Sequence, residues 1–189
     1  MLLPNIILPF LAYTTIKRYF QKKKEKSHNL SSNYTASVHA SSSIILWLLN
    51  KPYLFRYNSM GYFAYDILDI FINKKMKLLD YVYIYHHLAS IYYMSLNPMI
   101  YNWFNIIAMG EIGNIPNYFV YHYLKTNPES YNLKTWKAIQ KIVYGVVRIP
   151  IATYLTLNEI SQPGHLKVVA PVTPLYFFGL VWAYVIINQ

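Results

Sequence analysis

Tyr81-Val82-Tyr83-Ile84-Tyr85-His86-His87-Leu88-Ala89-Ser90-Ile91-Tyr92-Tyr93-Met94 is an apolar run with two adjacent imidazoles in it. Titratable side chains are costly to hold in a lipid-spanning helix, so a chain that keeps several has paired them or put them to use. Neighbouring apolar blocks carry Asp66, Asp69, Glu111 and Arg148. On the helix of the histidine pair, Asp80, Tyr83, His86, His87 and Ser90 recur at helical spacing and form one polar stripe.

Working outward, 55% of the 189 residues are apolar and only 13% are charged, and the apolar residues come in long blocks. The expectation is an all-α, polytopic transmembrane helical bundle. Windows of about 20 apolar residues give seven spans: Leu2–Tyr19, Tyr34–Leu49, Ser59–Asn73 (with a start near Tyr53 as an alternative), Leu79–Met94, Pro98–His122, Ala138–Asn158 and Val168–Asn188. The first block lacks a basic leader and a small-residue cleavage site and reads as a retained helix. Residues 1–32 form an N-terminal helix with a basic loop, and residues 33–189 the remaining transmembrane unit.

The basic residues sort by loop. Lys17, Arg18, Lys22, Lys23, Lys24, Lys26, Lys74, Lys75, Lys77, Lys125, Lys134, Lys137 and Lys141 fall on one side of the seven-span parse, and only Lys51, Arg56 and Lys167 on the other. The positive-inside rule then places the C-terminus in the cytosol. The net charge of +10 follows this loop pattern and does not indicate nucleic-acid binding. The absence of cysteine excludes disulfides, thiolate nucleophiles and cysteine-ligated metals.

Depth matching sharpens the site. At a rise of about 1.5 Å per residue, His39 lies about 8 Å from the cytosolic helix ends, Asp66 and His86 about 10 Å, Asn114 about 12 Å, Arg148 about 15 Å and Glu111 about 17 Å. Groups from five helices therefore fall in one layer, and the expectation is a polar cavity that opens to the cytosol. The structural alternatives are specific. One histidine can simply hydrogen-bond a neighbouring helix, since adjacent positions point about 100° apart. Asp69 and Asp80 can be solvated or pair with Lys74, Lys75 or Lys77. Arg148 can neutralise Glu111 or Asp66 as a bundle lock. Gly110, Gly113 and Pro116 read as close packing and a kink, Gly145 and Pro150 as a bend, and His28, His122 and His165 receive no role.

Five segments carry a likeness. Asn33-Tyr34-Thr35-Ala36-Ser37-Val38-His39-Ala40, Gly61-Tyr62-Phe63-Ala64-Tyr65-Asp66-Ile67-Leu68, the His86-His87 pair, Glu111-Ile112-Gly113-Asn114-Ile115-Pro116-Asn117 and Val146-Val147-Arg148-Ile149-Pro150 stand in order. The chain thereby resembles the TLC-domain proteins, polytopic membrane proteins that include the ceramide synthases and other lipid-handling members. Ceramide synthases are expected to show two aspartates after the histidine pair. Glu111 and Asn114 stand here instead, closer to the other branches of the family, and there is no homeobox-like insertion.

The resemblance implies an endoplasmic-reticulum membrane protein of lipid metabolism, with membrane lipids as partners and self-association into a homo-oligomer left open. The first functional reading is an acyltransferase that uses acyl-CoA as co-substrate, with no resident cofactor or metal, and acylates a lipid amine or hydroxyl, ceramide-synthase-like chemistry included. In it His86 or His87 is base or nucleophile and Asp66 orients it. Arg148, Asn114 and Tyr144 stabilise the oxyanion, and Glu111 and His39 complete the binding layer. The second reading is a non-enzymatic protein that binds lipid, modulates membrane composition or escorts cargo. A metal-dependent hydroxylase or desaturase would need far more histidines than His39, His86 and His87 at suitable depth.

Overall fold

The structure is a computed structural model and describes residues 2–24, 28–73, 76–97 and 102–188. The described residues are helical almost throughout, with no strand among them. Five helices come first: α1 (Leu2–Lys24), α2 (His28–Leu48), α3 (Pro52–Asn73), α4 (Leu78–Ser95) and α5 (Trp103–Thr126). A long rod follows, made of α6 (Tyr131–Ile142), a π-helical turn (Val143–Arg148) and α7 (Ile149–Ser161). The last rod joins α8 (His165–Val169), a 3₁₀ turn (Ala170–Val172) and α9 (Thr173–Ile187). These rods match the seven expected spans in order. Lys26, Lys74, Lys75 and the Pro98 start of the fifth expected span lie outside the described residues.

Local chemistry sets the ends. Asn50 takes a left-handed φ of 52° after α2, where the Asn50 and Lys51 amides close on Trp47 and Leu46, and Pro52 then opens α3 with a φ already suited to a helix. Asp80 accepts from the Lys77 amide at 2.9 Å to cap α4. Ser130 caps α6 by accepting from the Asn132 amide at 3.1 Å. Between α7 and α8 the chain turns at Gly164, whose φ of 79° suits a residue without Cβ.

α3 and α5 occupy the centre. α3 packs on α1, α2 and α4, and α5 packs on α2, α6, α7 and the π-turn. Gly61 lets α1 and α3 approach closely, because a Cβ there would stand 2.6 Å from Pro9 Cβ and 2.9 Å from the Ile6 carbonyl. At the other edge the stacked rings of Phe119 and Trp136, 3.9 Å apart, join α5 to α6. Lys17 of α1 is buried in an ion pair with Asp69 of α3. The expectation for Asp69 was solvation or a pair with Lys74, Lys75 or Lys77; α1 supplies a cation, and Lys74 and Lys75 lie outside the described residues.

Beside an apolar core around Phe55, Phe63, Met94 and Trp103, the interior holds several polar side chains, and many large apolar ones lie outside. Ser31, Thr35, His39, Ser43 and Ser59 are fully buried, while Leu8 (72% exposed), Ile72 (69%) and Val181 (63%) face outward. Buried hydroxyls are satisfied locally: Thr35 donates to the Ser31 carbonyl and Ser42 to the His39 carbonyl. Even so, by length and composition a single helix among the described residues, His165–Ile187, is apolar enough to cross a membrane. The other rods fall short because serines, asparagines, tyrosines and charges lower their hydropathy.

Candidate functional site

Phe63 organises the expected layer. His87 stacks on its ring at 4.7 Å, His39 meets it edge-on at 5.4 Å and His86 at 6.4 Å. Each imidazole has a different setting. His87 is buried, and its Nε2 lies 2.8 Å from Asp66 Oδ2. Its Nδ1 has no hydrogen-bond partner. His39 is sealed inside, with Nε2 within hydrogen-bond distance of Ser43 and Ser59 and its ring stacked on Tyr62 at 4.1 Å. His39 Nδ1 stands 3.8 Å from Glu111 Oε1. His86, 5.5 Å from His87 between ring centroids, lines a chamber that neither His87 nor His39 reaches.

That chamber, of ≈ 160 Å³, is enclosed by α4, α5, α7, the 168–173 segment and α9. His86, Glu111, Asn114 and Arg148 stand at one end of it. From there it runs between Ile106, Ile107, Val172 and Leu180 to Glu159. Gly110 on α5 and Gly179 on α9 face it, and an added Cβ at either would meet nothing within 4 Å. Gly110 therefore marks empty space and not the close packing expected of it. The expected cavity was polar throughout and open toward the lysine-rich loops. The chamber instead has polar groups at its ends and apolar walls, and extends away from those loops. The Arg148 end is backed by a buried Tyr144, whose Oη accepts from Asn117 at 2.7 Å while Asn117 Oδ1 accepts from Gln140 at 2.8 Å.

The π-turn places Arg148. Pro150 has no N–H for the carbonyl four residues before it, so the ladder slackens to i→i+5 spacing across Val143–Arg148, and Tyr144 and Arg148 come onto one side. The guanidinium lies over the Tyr144 ring at 4.8 Å. Its Nη1 donates to Asn114 Oδ1 at 2.9 Å and to Tyr144 Oη at 2.6 Å. Arg148 is thus held by two neutral groups, where a lock on Glu111 or Asp66 was the alternative. Gly113 makes room for its stem, since a Cβ there would stand 2.5 Å from Arg148 Cδ. Gly113→Ala is expected to push the guanidinium off Asn114 and to lower stability by about 1–3 kcal/mol; thermal unfolding beside Gly110→Ala, which has open space, measures the difference.

The expected site residues thus form three linked groups: His87 with Asp66; His39 with Glu111 and the serines; and His86, Glu111, Asn114 and Arg148 around the chamber, with Tyr144 behind. Sequence reading missed Glu159. This buried carboxylate accepts from the Asn102 amide at 3.0 Å and pairs with His165 Nδ1 at 3.1 Å, closing the chamber's far end. The signal was a lone acid inside the apolar run after Arg148, hidden because the span was ended at Asn158. His165 accordingly has a partner where no role was expected. Among the described residues no group of three acids and histidines is placed to hold a metal ion. No family model, curated protein or solved structure matches the chain.

Proposed function

We propose that the protein is a polytopic membrane protein of TLC-domain type that transfers an acyl group from acyl-CoA to the hydroxyl or amine of a membrane lipid, in the endoplasmic reticulum. The many exposed large apolar side chains, such as Leu8, Ile72 and Val181, support the membrane assignment, because they suit a lipid solvent. One observation carries the chemical reading, the placement of His86, Glu111, Asn114 and Arg148 around one end of an apolar slot. In this reading the His86 imidazole takes the acceptor's proton as the acceptor attacks the thioester carbonyl. The new C–O or C–N bond forms, the C–S bond breaks, and the imidazolium returns the proton to the departing thiolate. Asn114 stabilises the oxyanion of the tetrahedral intermediate, and Arg148 stands beside it at the same end of the chamber. His87, held by Asp66, packs behind His86 and fixes its position.

The test uses the purified protein in lipid nanodiscs, supplied with radiolabelled acyl-CoA and a total membrane lipid extract, with labelled lipid as the readout. Gly110→Phe projects a ring into the chamber from a position where an added Cβ meets nothing within 4 Å, so it is expected to reduce transfer at least tenfold, the order of effect that misplacing bound groups produces, with thermal unfolding as the check that the fold is retained. Undiminished transfer in that variant would move the reaction elsewhere in the molecule. Retained lipid binding without any labelled product in the wild type would favour the lipid-binding reading instead.

A further inference from the structure

The Arg148 fork is only half used. Of the five N–H groups of a guanidinium, the two on Nη1 go to Asn114 and Tyr144, and among the described residues no hydrogen bond is made by Nε or Nη2. That Nε–Nη2 edge is the one whose parallel N–H groups match two oxygens of a phosphate or carboxylate. It is held in place by the two Nη1 bonds, by the Tyr144 ring beneath and by the Gly113 cleft around the stem. One α5 turn from Asn114, which neighbours its carboxylate, buried Glu111 lines the same chamber, and among the described residues its Oε2 has no hydrogen-bond partner within 3.5 Å. A buried acceptor left unmade is costly, and a ligand O–H or N–H would complete it.

We infer that the Arg148 end is a headgroup subsite for an anionic single-chain lipid, one whose phosphate or carboxylate is flanked by a hydroxyl or amine. The oxyanion takes the Nε–Nη2 edge and the neighbouring donor reaches Glu111. The chain runs along α5 and α7 toward Glu159, about 16 Å away along the helix axis. Two features restrict the ligand further. The chamber, of ≈ 160 Å³ and partly open at its edge, leaves no room for two chains side by side. Arg148 is the cation among the described residues that line the chamber, and its place at one end fixes the ligand's direction. The inference rests on the chamber being the lipid site of the proposed function; it gives the acceptor's class, and assigns Arg148 to the acceptor's permanent charge and Asn114 to the oxyanion.

Binding without acyl-CoA tests it separately from catalysis. Wild-type protein in phosphatidylcholine nanodiscs is titrated with decanoyl lysophosphatidic acid, decyl phosphate, monodecanoylglycerol and decyltrimethylammonium, with thermal stabilisation as the readout. The expected order is lysophosphatidic acid first, decyl phosphate next, and the neutral and cationic probes at least tenfold weaker. Arg148→Gln is expected to remove that tenfold preference for phosphate. Glu111→Gln is expected to narrow the gap between the two phosphates and leave decyl phosphate unchanged. Equal binding of the neutral and phosphate probes by the wild type overturns the inference, even if Arg148→Gln fails to fold. Phosphate-selective binding without acyl transfer would sustain it while the catalytic reading fails; efficient acylation of neutral acceptors by a folded Arg148→Gln protein would do the reverse.

Discussion

His86→Ala is expected to lower acyl transfer by about 10²- to 10⁴-fold, the usual contribution of a positioned acid–base group, while the protein still folds. The asymmetry within the pair makes the experiment decisive. His86 lines the chamber, whereas His87 is buried behind Phe63 with Nε2 at 2.8 Å from Asp66. A residue that acts only through its neighbour has a different signature. His87→Ala and Asp66→Asn are expected to cost stability and a smaller part of turnover, and a conservative His87→Gln, able to keep one hydrogen bond to Asp66, should recover part of the loss. Single-turnover labelling beside thermal unfolding separates these outcomes. Should His87→Ala abolish transfer with normal stability while His86→Ala leaves it intact, the roles of the two imidazoles are reversed and the chamber is not where the reaction occurs.

The largest stability effect is expected at Lys17 and Asp69. Both side chains are buried and joined across α1 and α3. Breaking a buried pair by removing one partner leaves an uncompensated charge and typically costs about 3–5 kcal/mol, whereas replacing both with apolar groups of similar volume is often neutral. Lys17→Met alone should therefore destabilise strongly, and Lys17→Met with Asp69→Leu should recover most of the loss. Denaturation of the two variants in mixed micelles measures this. A double variant no more stable than the single one would mean that the pair does more than neutralise itself, for instance by holding the α1 end against the loop that follows α3.

The helices were legible because blocks of apolar residues mark them without reference to tertiary contacts. The polar layer was legible for a related reason. A rise fixed by backbone geometry converts sequence position to depth, so His39, Asp66, His86, Glu111 and Arg148 could be assigned to one level before any packing was known. Depth contains no azimuth, however, and helix rotation decides partners. Asp66 meets His87 and not His86, and Arg148 meets Asn114 and Tyr144 and not Glu111, because of how α3, α4 and the π-turn are turned about their axes. Likewise Gly110 and Gly113, three residues apart, read alike in sequence; one opens into the chamber and the other grips the Arg148 stem.

By itself the sequence determined the all-helical architecture, the order of the rods and the set of polar residues that share a level, since each depends on local propensity and a fixed rise per residue. Only the tertiary structure decided which imidazole faces empty space, and that Lys17 meets Asp69 and Glu159 meets His165 and the Asn102 amide. Those outcomes depend on side-chain packing between helices distant in sequence, where a rotation of one residue step, about 100°, exchanges an interior group for an exterior one.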